Sequence, residues 1–215
     1  MKLGAVYEAD SQGRAYAISY LGAFEGAERF GERLWVKAAP RGVQRAQEVI
    51  VLGDGAAWIW NLAGYHFPGA REVVDYYHAK DHLCQLADAV FGEGSAQAQQ
   101  WREQSLALLW EGDVEGVLTS LRQLRVRSRA RRELVRQNLH YFASNAHRMR
   151  YGEFRRQGLH IGSGVVESAC KHVAGARLKG AGMRWSLPGA QAILDLHLCL
   201  LNHTWGSYWQ LPCAA

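Results

Sequence analysis

The sequence predicts an α/β chain: a mixed sheet flanked by helices and interrupted by an all-helical segment. Three observations lead there. Two strand-like runs, KLGAVYEA and AYAISYLGAF, open the chain around a DSQGR turn, which is the pattern of a hairpin. The next strand-like runs, QEVIVLGDG and REVV, alternate with helical stretches, as parallel strands joined by crossovers do. From Leu83 to about Arg150 no strand pattern appears.

Taken in order, Ala27, Phe30, Leu34 and Ala38 recur at helical spacing, and Pro40 and Gly42 end that helix. QEVIVLGDG is a short continuous apolar run, suited to a strand covered on both faces. AAWIWNLAGYHF reads as a helix closed by PGA, and REVVDYYHAKDHL passes from strand into helix. QLADAVFG, AQQWREQSLALLWEGD and the stretch from Val114 to Met149 read as helices parted by Gly, Asp and Ser. Ser163 is placed to cap a helix that carries Glu167 near its start. A last helix, PGAQAILDLHLCLLN, has Pro188 in its first turn.

The balance of 48% hydrophobic and 21% charged residues is that of a globular chain of 215 residues, and eight tryptophans argue against disorder. The net charge of +5 permits an acidic partner, and arginine is concentrated between positions 122 and 156. Cys84, Cys170, Cys199 and Cys213 are widely spaced and form no CxxC pair, so they read as buried thiols in a reducing compartment. No signal peptide and no apolar run of roughly 20 residues is visible, so a soluble, cytoplasmic protein without a membrane partner is expected.

Four groups of residues carry candidate chemistry. Asp54 stands between two glycines at the end of a predicted strand, where open α/β sheets place ligands. A cation-binding carboxylate and a helix-capping Asp are both open readings there. Asp75 and His78, in VVDYYH, end the next strand. His82 lies one helical turn further on, and helix-start packing outweighs a zinc site for the three. Glu167 sits among Val165, Val166, Ala169 and Cys170, either as an acid needing a metal or as a dipole-matching residue paired with Lys171. Arg122, Arg125, Arg129, Arg132 and Arg136 are three and four apart, so one helix face would carry all five. Such like charges repel unless an anion lies against them, and a phosphate backbone is the favoured partner over a merely solvated face. Lys171, Arg177, Lys179 and Arg184 form a second basic set beside Glu167. Trp58, Trp60 and Trp185 could stack on bases, but core packing is the stronger expectation for each.

The segments LGDGAAWIWNLAGYHFPGA, VVDYYHAKDHL, EFRRQGLHIGSGVVESACKHVAGARLKGAGMRW and PGAQAIL resemble insertion-sequence transposases of the ISKra group, among the Mutator-like DDE transposases. The resemblance covers nearly the whole chain in order. It implies an RNase H-like fold and a prokaryotic element. It also implies three carboxylates holding two Mg²⁺ (or Mn²⁺) ions for DNA cleavage and strand transfer. Asp54 matches the second carboxylate and Glu167 the last, so these two are the expected catalytic and metal residues. Asp75 and His78 match a supporting pair. The arginines from Arg122 to Arg136 and the set from Lys171 to Arg184 become the expected DNA-binding residues, on a protein that acts as a homo-oligomer on DNA.

The same resemblance places the first strand and first carboxylate upstream of a stretch like KLGAVYEA, and Asp10, in a turn, is a poor substitute. The expectation is therefore the C-terminal catalytic region of a transposase without its first strand, impaired in activity. In that scheme residues 1–82 and 160–205 form the core, 83–159 a helical insertion and 206–215 a tail. The rivals are an inactive DNA-binding relic or modulator and a metal-dependent nuclease of cellular function.

Overall fold

The computed structural model of the chain describes residues 1–10, 14–162, 164–165, 173, 175, 178 and 181–210. They divide into two compact units, one of residues 1–49, 61–69 and 164–215 and the other of residues 50–60 and 70–163.

In the first unit β1 (Lys2–Ala9) and β2 (Ala15–Ala23) pair antiparallel, from Lys2 opposite Ala23 to Ala9 opposite Ala15, with an irregularity between Val6 and Glu8. Asp10 belongs to the turn: its carboxylate accepts from the Arg14 amide at 2.8 Å, and its own amide donates to the Arg14 carbonyl. The amphipathic helix α1 (Ala27–Ala38) buries Phe30 and Ala38 and then tightens into a 3-10 turn at Ala39–Arg41, where Pro40 ends the α-helical ladder. Helix α8 (Leu187–Leu201) begins at Ser186, whose hydroxyl accepts from the Gly189 amide, with Pro188 in the first turn. Its C-cap residue, Asn202, holds β2 through both amide atoms, accepting from the Tyr20 amide at 2.7 Å and donating to the Tyr20 carbonyl at 2.9 Å. Leu194 and Leu198 form this unit's apolar cluster with Val173, bordered by Leu3, Tyr20 and Phe24. A short helix, α9 (Trp205–Tyr208), follows.

In the second unit β3 (Ile50–Gly53) and β4 (Arg71–Val74) pair parallel, with Ile50 opposite Arg71 and Gly53 opposite Val74. Helix α2 (Ala57–His66) is the crossover between them, and its residues are shared between the two units. The rest is helical: α3 (Tyr76–Phe91), α4 (Ala96–Glu111), α5 (Val114–Arg122), α6 (Arg129–Asn145) and α7 (Tyr151–Arg156). Polar side chains start three of them. Asp75 caps α3, Ser95 caps α4 through the Ala98 amide and Asp113 caps α5 through the Gly116 amide. Val73, Val74, Leu83, Leu86, Leu109, Leu121, Phe142, Tyr151 and Phe154 fill one core. Burial of each such side chain is worth about 1.5–3 kcal/mol, enough to hold a two-stranded sheet that would be marginal alone.

The expected class, mixed α/β, is what the structure has. The single mixed sheet is not there: the described strands form two separate two-stranded sheets. Each strand pairs with its neighbour in sequence, joined by one turn or one crossover, which are the closures that cost least chain entropy. A second correction concerns the segment from Val114 to Met149. It is not one helix, because α5 ends at Arg122 and α6 begins at Arg129. Leu124 and Val126, two residues apart, pack against the core, an extended spacing that a continuing helix could not keep. Ser128 then takes the N-cap position of α6. Cys84 and Cys199 are free thiols, and Cys170 and Cys213 lie outside the described residues. Among the described residues no helix is long and apolar enough to cross a membrane.

Candidate functional site

The carboxyl ends of β3 and β4 meet at a hydrogen bond of 2.7 Å from the Asp75 amide to the Gly53 carbonyl. Asp54 and Asp75 therefore leave the parallel pair side by side. That edge is where parallel α/β units present ligand-binding groups, because the following helix starts there. The two carboxylates differ sharply in surroundings. Asp54 is exposed, and its Oδ1 accepts from the Ala56 amide at 2.9 Å, closing a local turn ahead of α2. Among the described residues its Oδ2 has no hydrogen-bond partner. Asp75 is 7% exposed, and its Oδ1 accepts from the amides of Tyr77 at 2.8 Å and His78 at 3.4 Å. So Asp75 is the N-cap of α3, while Asp54 Oδ2 is without a hydrogen bond among the described residues.

One wall of this edge comes from α3 and α6. The Tyr141 hydroxyl donates to the Asp54 carbonyl at 3.1 Å. The Tyr141 ring stacks face to face on His82, with centroids 4.1 Å apart and an interplanar angle of 9°. The exposed ring of His78 stands edge-on to His82 at 5.0 Å. His82 Nδ1 faces Asn138 Oδ1 at 3.1 Å. Burial, and then the charges of Asp54 and Asp75, push the Tyr141 hydroxyl far above its ordinary range. Burial also lowers the pKa of His82, against a raising contribution from the Asn138 hydrogen bond. Deeper in, the fully buried Tyr151 has a hydroxyl without a hydrogen-bond partner among the described residues. Its pKa is driven up chiefly by burial.

Asp54 and Asp75 offer hard carboxylate oxygens of the kind Mg²⁺ or Mn²⁺ takes, and Asp54 Oδ2 is the one that is open. Among the described residues no three His, Cys, Asp or Glu side chains gather closely enough to hold a metal ion, so the structure gives no zinc-type cluster of Asp75, His78 and His82. Glu167, Lys171, Arg177 and Lys179 lie outside the described residues, and Arg184 is exposed ahead of α8. Trp60 is a core residue whose Nε1 donates to Asn145 Oδ1 at 3.1 Å, with the Arg148 guanidinium over its ring at 4.6 Å. Trp185 is exposed.

The break between α5 and α6 overturns the single arginine face. Arg122 pairs with Glu115 at 2.7 Å on α5, and Arg136 makes a two-pronged contact with Glu133 on α6. Between them RVRSRARR exposes Arg125, Arg127, Arg129, Arg131 and Arg132. None of the five has a carboxylate partner among the described residues, and Arg131 donates to the Val90 carbonyl. Arg127 and Arg131 fall outside a three-and-four spacing, so helical periodicity could not find them.

Residues 38–207 match the profile of an uncharacterised protein family, UPF0236. The chain belongs to that family. UPF0236 includes transposase-like proteins. No curated protein and no solved structure matches the chain. The family match takes in the β3–β4 edge with Asp54 and Asp75, the arginine patch and Glu167. Tyr141 and Asn138, which shape the edge, also lie within the match. No local pattern marks either, because Tyr141 reaches a carbonyl 87 residues away in sequence.

Proposed function

We propose that this chain is the catalytic part of a DDE-type transposase with an RNase H-like core, acting as a homo-oligomer on the DNA ends of an insertion sequence. The observation that carries the reading is Asp54: an exposed carboxylate at the carboxyl edge of a parallel strand pair, with one oxygen that has no hydrogen-bond partner among the described residues. Membership of a family that includes transposase-like proteins supports it too.

On this reading Asp54 and Glu167 would hold Mg²⁺ or Mn²⁺, with Asp75 and His78 in support. When bound, the metal supplies an activated hydroxyl and stabilises the leaving oxygen of a phosphodiester. The chain's own part is to point the Asp54 carboxylate outward from a turn closed by the Ala56 amide. Asp75 holds the start of α3, and with it His78, beside that carboxylate. The exposed stretch from Arg125 to Arg132 would take the DNA backbone, since guanidinium groups without carboxylate partners among the described residues repel one another until anions lie against them.

The second reading is a DNA-binding relic or modulator without catalysis, favoured by an arginine patch that needs no carboxylate. Cleavage of duplex DNA carrying insertion-sequence ends, in Mg²⁺ or Mn²⁺, separates the two. Cutting that disappears in Asp54→Asn and Glu167→Gln, with DNA affinity kept, supports the catalytic reading. Binding without cutting in every variant supports the relic. Replacing Arg125, Arg127, Arg129, Arg131 and Arg132 with Gln is expected to flatten the salt dependence of binding, by about 0.9 in log–log slope for each lost phosphate contact. An unchanged slope would show the patch to be only a solvated surface.

A further inference from the structure

We propose that Tyr141 is a positioning residue for Asp54: a side chain of α6 sets where the carboxylate at the end of β3 points. The proposal rests on the reading of Asp54 as a metal-binding group. Four observations build it, all within the second compact unit. First, the Tyr141 hydroxyl donates to the Asp54 carbonyl, so the peptide plane between Asp54 and Gly55 is anchored at its oxygen. Second, Gly55 has φ +97°, and a Cβ there would lie 2.6 Å from Tyr141 Cε2. The turn is thus packed against the ring and cannot rotate toward it. Third, the Ala56 amide holds Asp54 Oδ1, which orients the other oxygen once the peptide plane is set.

The fourth observation is what holds Tyr141. Asn138 donates through Nδ2 to the Leu134 carbonyl at 2.9 Å, so its Oδ1 is the atom that faces His82. His82 Nδ1 must then carry the hydrogen. Burial lowers the pKa of this imidazole, and its ring lies flat on Tyr141. The chain of contacts runs Leu134, Asn138, His82, Tyr141, Asp54, from the body of α6 to the rim of β3.

Mn²⁺ titration followed by the paramagnetic signal of the free ion, with thermal melting of the same samples, tests this. Tyr141→Phe keeps the ring and its stack and removes only the hydroxyl. It is expected to weaken Mn²⁺ binding about two- to tenfold, the worth of one hydrogen bond, with a melting temperature within a few degrees of wild type. Tyr141→Leu, which also loses the stack, is expected to weaken it further, and Asp54→Asn to abolish it. An unchanged Mn²⁺ affinity in Tyr141→Phe, with Asp54→Asn still defective, overturns the positioning role and leaves the metal reading standing. A Tyr141→Phe chain that no longer melts cooperatively also overturns it, because the residue is then structural. Mn²⁺ binding that is absent in wild type, or untouched by Asp54→Asn, overturns the metal reading itself.

Discussion

Substituting Gly55 by Ala perturbs the Asp54 turn at its tightest point. Gly55 sits at φ +97°, a backbone conformation that L residues avoid at a cost of about 1–3 kcal/mol. The new Cβ would also fall 2.6 Å from Cε2 and 3.2 Å from Cζ of Tyr141. The ring cannot simply swing away, since one of its faces is stacked on His82 at 4.1 Å. Overpacking of this kind costs about 1–3 kcal/mol. The two contributions together predict a loss of about 2–6 kcal/mol. For a chain of this length that is a fall in melting temperature of roughly 4–24 °C. Urea denaturation and calorimetry of Gly55→Ala, Tyr141→Ala and the double variant separate the parts. In the Tyr141→Ala background Gly55→Ala should cost only the backbone share, which gives a coupling energy of about 1–3 kcal/mol. A Gly55→Ala chain within 0.5 kcal/mol of wild type, or a coupling of zero, would refute the packing of Tyr141 against this turn.

Three other outcomes follow from named contacts. Tyr151→Phe removes a fully buried hydroxyl that has no partner among the described residues, so it is expected to stabilise by about 1 kcal/mol, and a clear loss in chemical denaturation would contradict this. Glu72→Gln strips the counter-charge from Arg148, whose Nε lies 2.6 Å from Glu72 Oε2 with both side chains mostly covered; a loss of roughly 1–3 kcal/mol is expected, and a change below 0.5 kcal/mol would show the pair to be incidental. The folded pKa of His82 is depressed below its unfolded value of about 6.5. Its contribution is therefore complete above that value and is lost as pH falls through the folded pKa. Melting temperatures between pH 7.5 and 5 should fall less steeply in His82→Gln, and identical slopes would remove His82 as a cause. Tyr141 and Tyr151 are shifted the other way, upward, so their share is present below about pH 10 and lost as pH rises above it.

Short-range signals in the sequence are answered closely by the structure. KLGAVYEA and AYAISYLGA pair across the Asp10 turn, since the residues that make the hairpin are adjacent in the chain. QEVIVLGDG ends its strand at Gly53 with Asp54 just beyond, and REVV ends its strand with Asp75 opening α3. The breaks among the helices fall at Gly92, Ser95, Gly112 and Asp113. Asp75 combines two possibilities that its sequence context leaves open. It is a helix cap, and it also stands beside Asp54 at the carboxyl edge. The arginine face failed as a reading because periodicity assumes an unbroken helix. Leu124 and Val126 instead turn inward to the core and part Arg122 from Arg129.

By itself the sequence determined the α/β class, the hairpin, the carboxylates at the two strand ends and the basic character of the stretch from Arg122 to Arg136. All of these depend on residue type, on spacing within a turn or two, or on charge. Only the tertiary structure decided that the strands divide into two sheets, that Arg125, Arg127, Arg129, Arg131 and Arg132 are each exposed, and that Tyr141 closes on Asp54. The physical reason is range. A cap or a turn is written in neighbouring residues, whereas the meeting of Tyr141 and Asp54 depends on how α3 and α6 pack around Leu83, Phe142 and Tyr151.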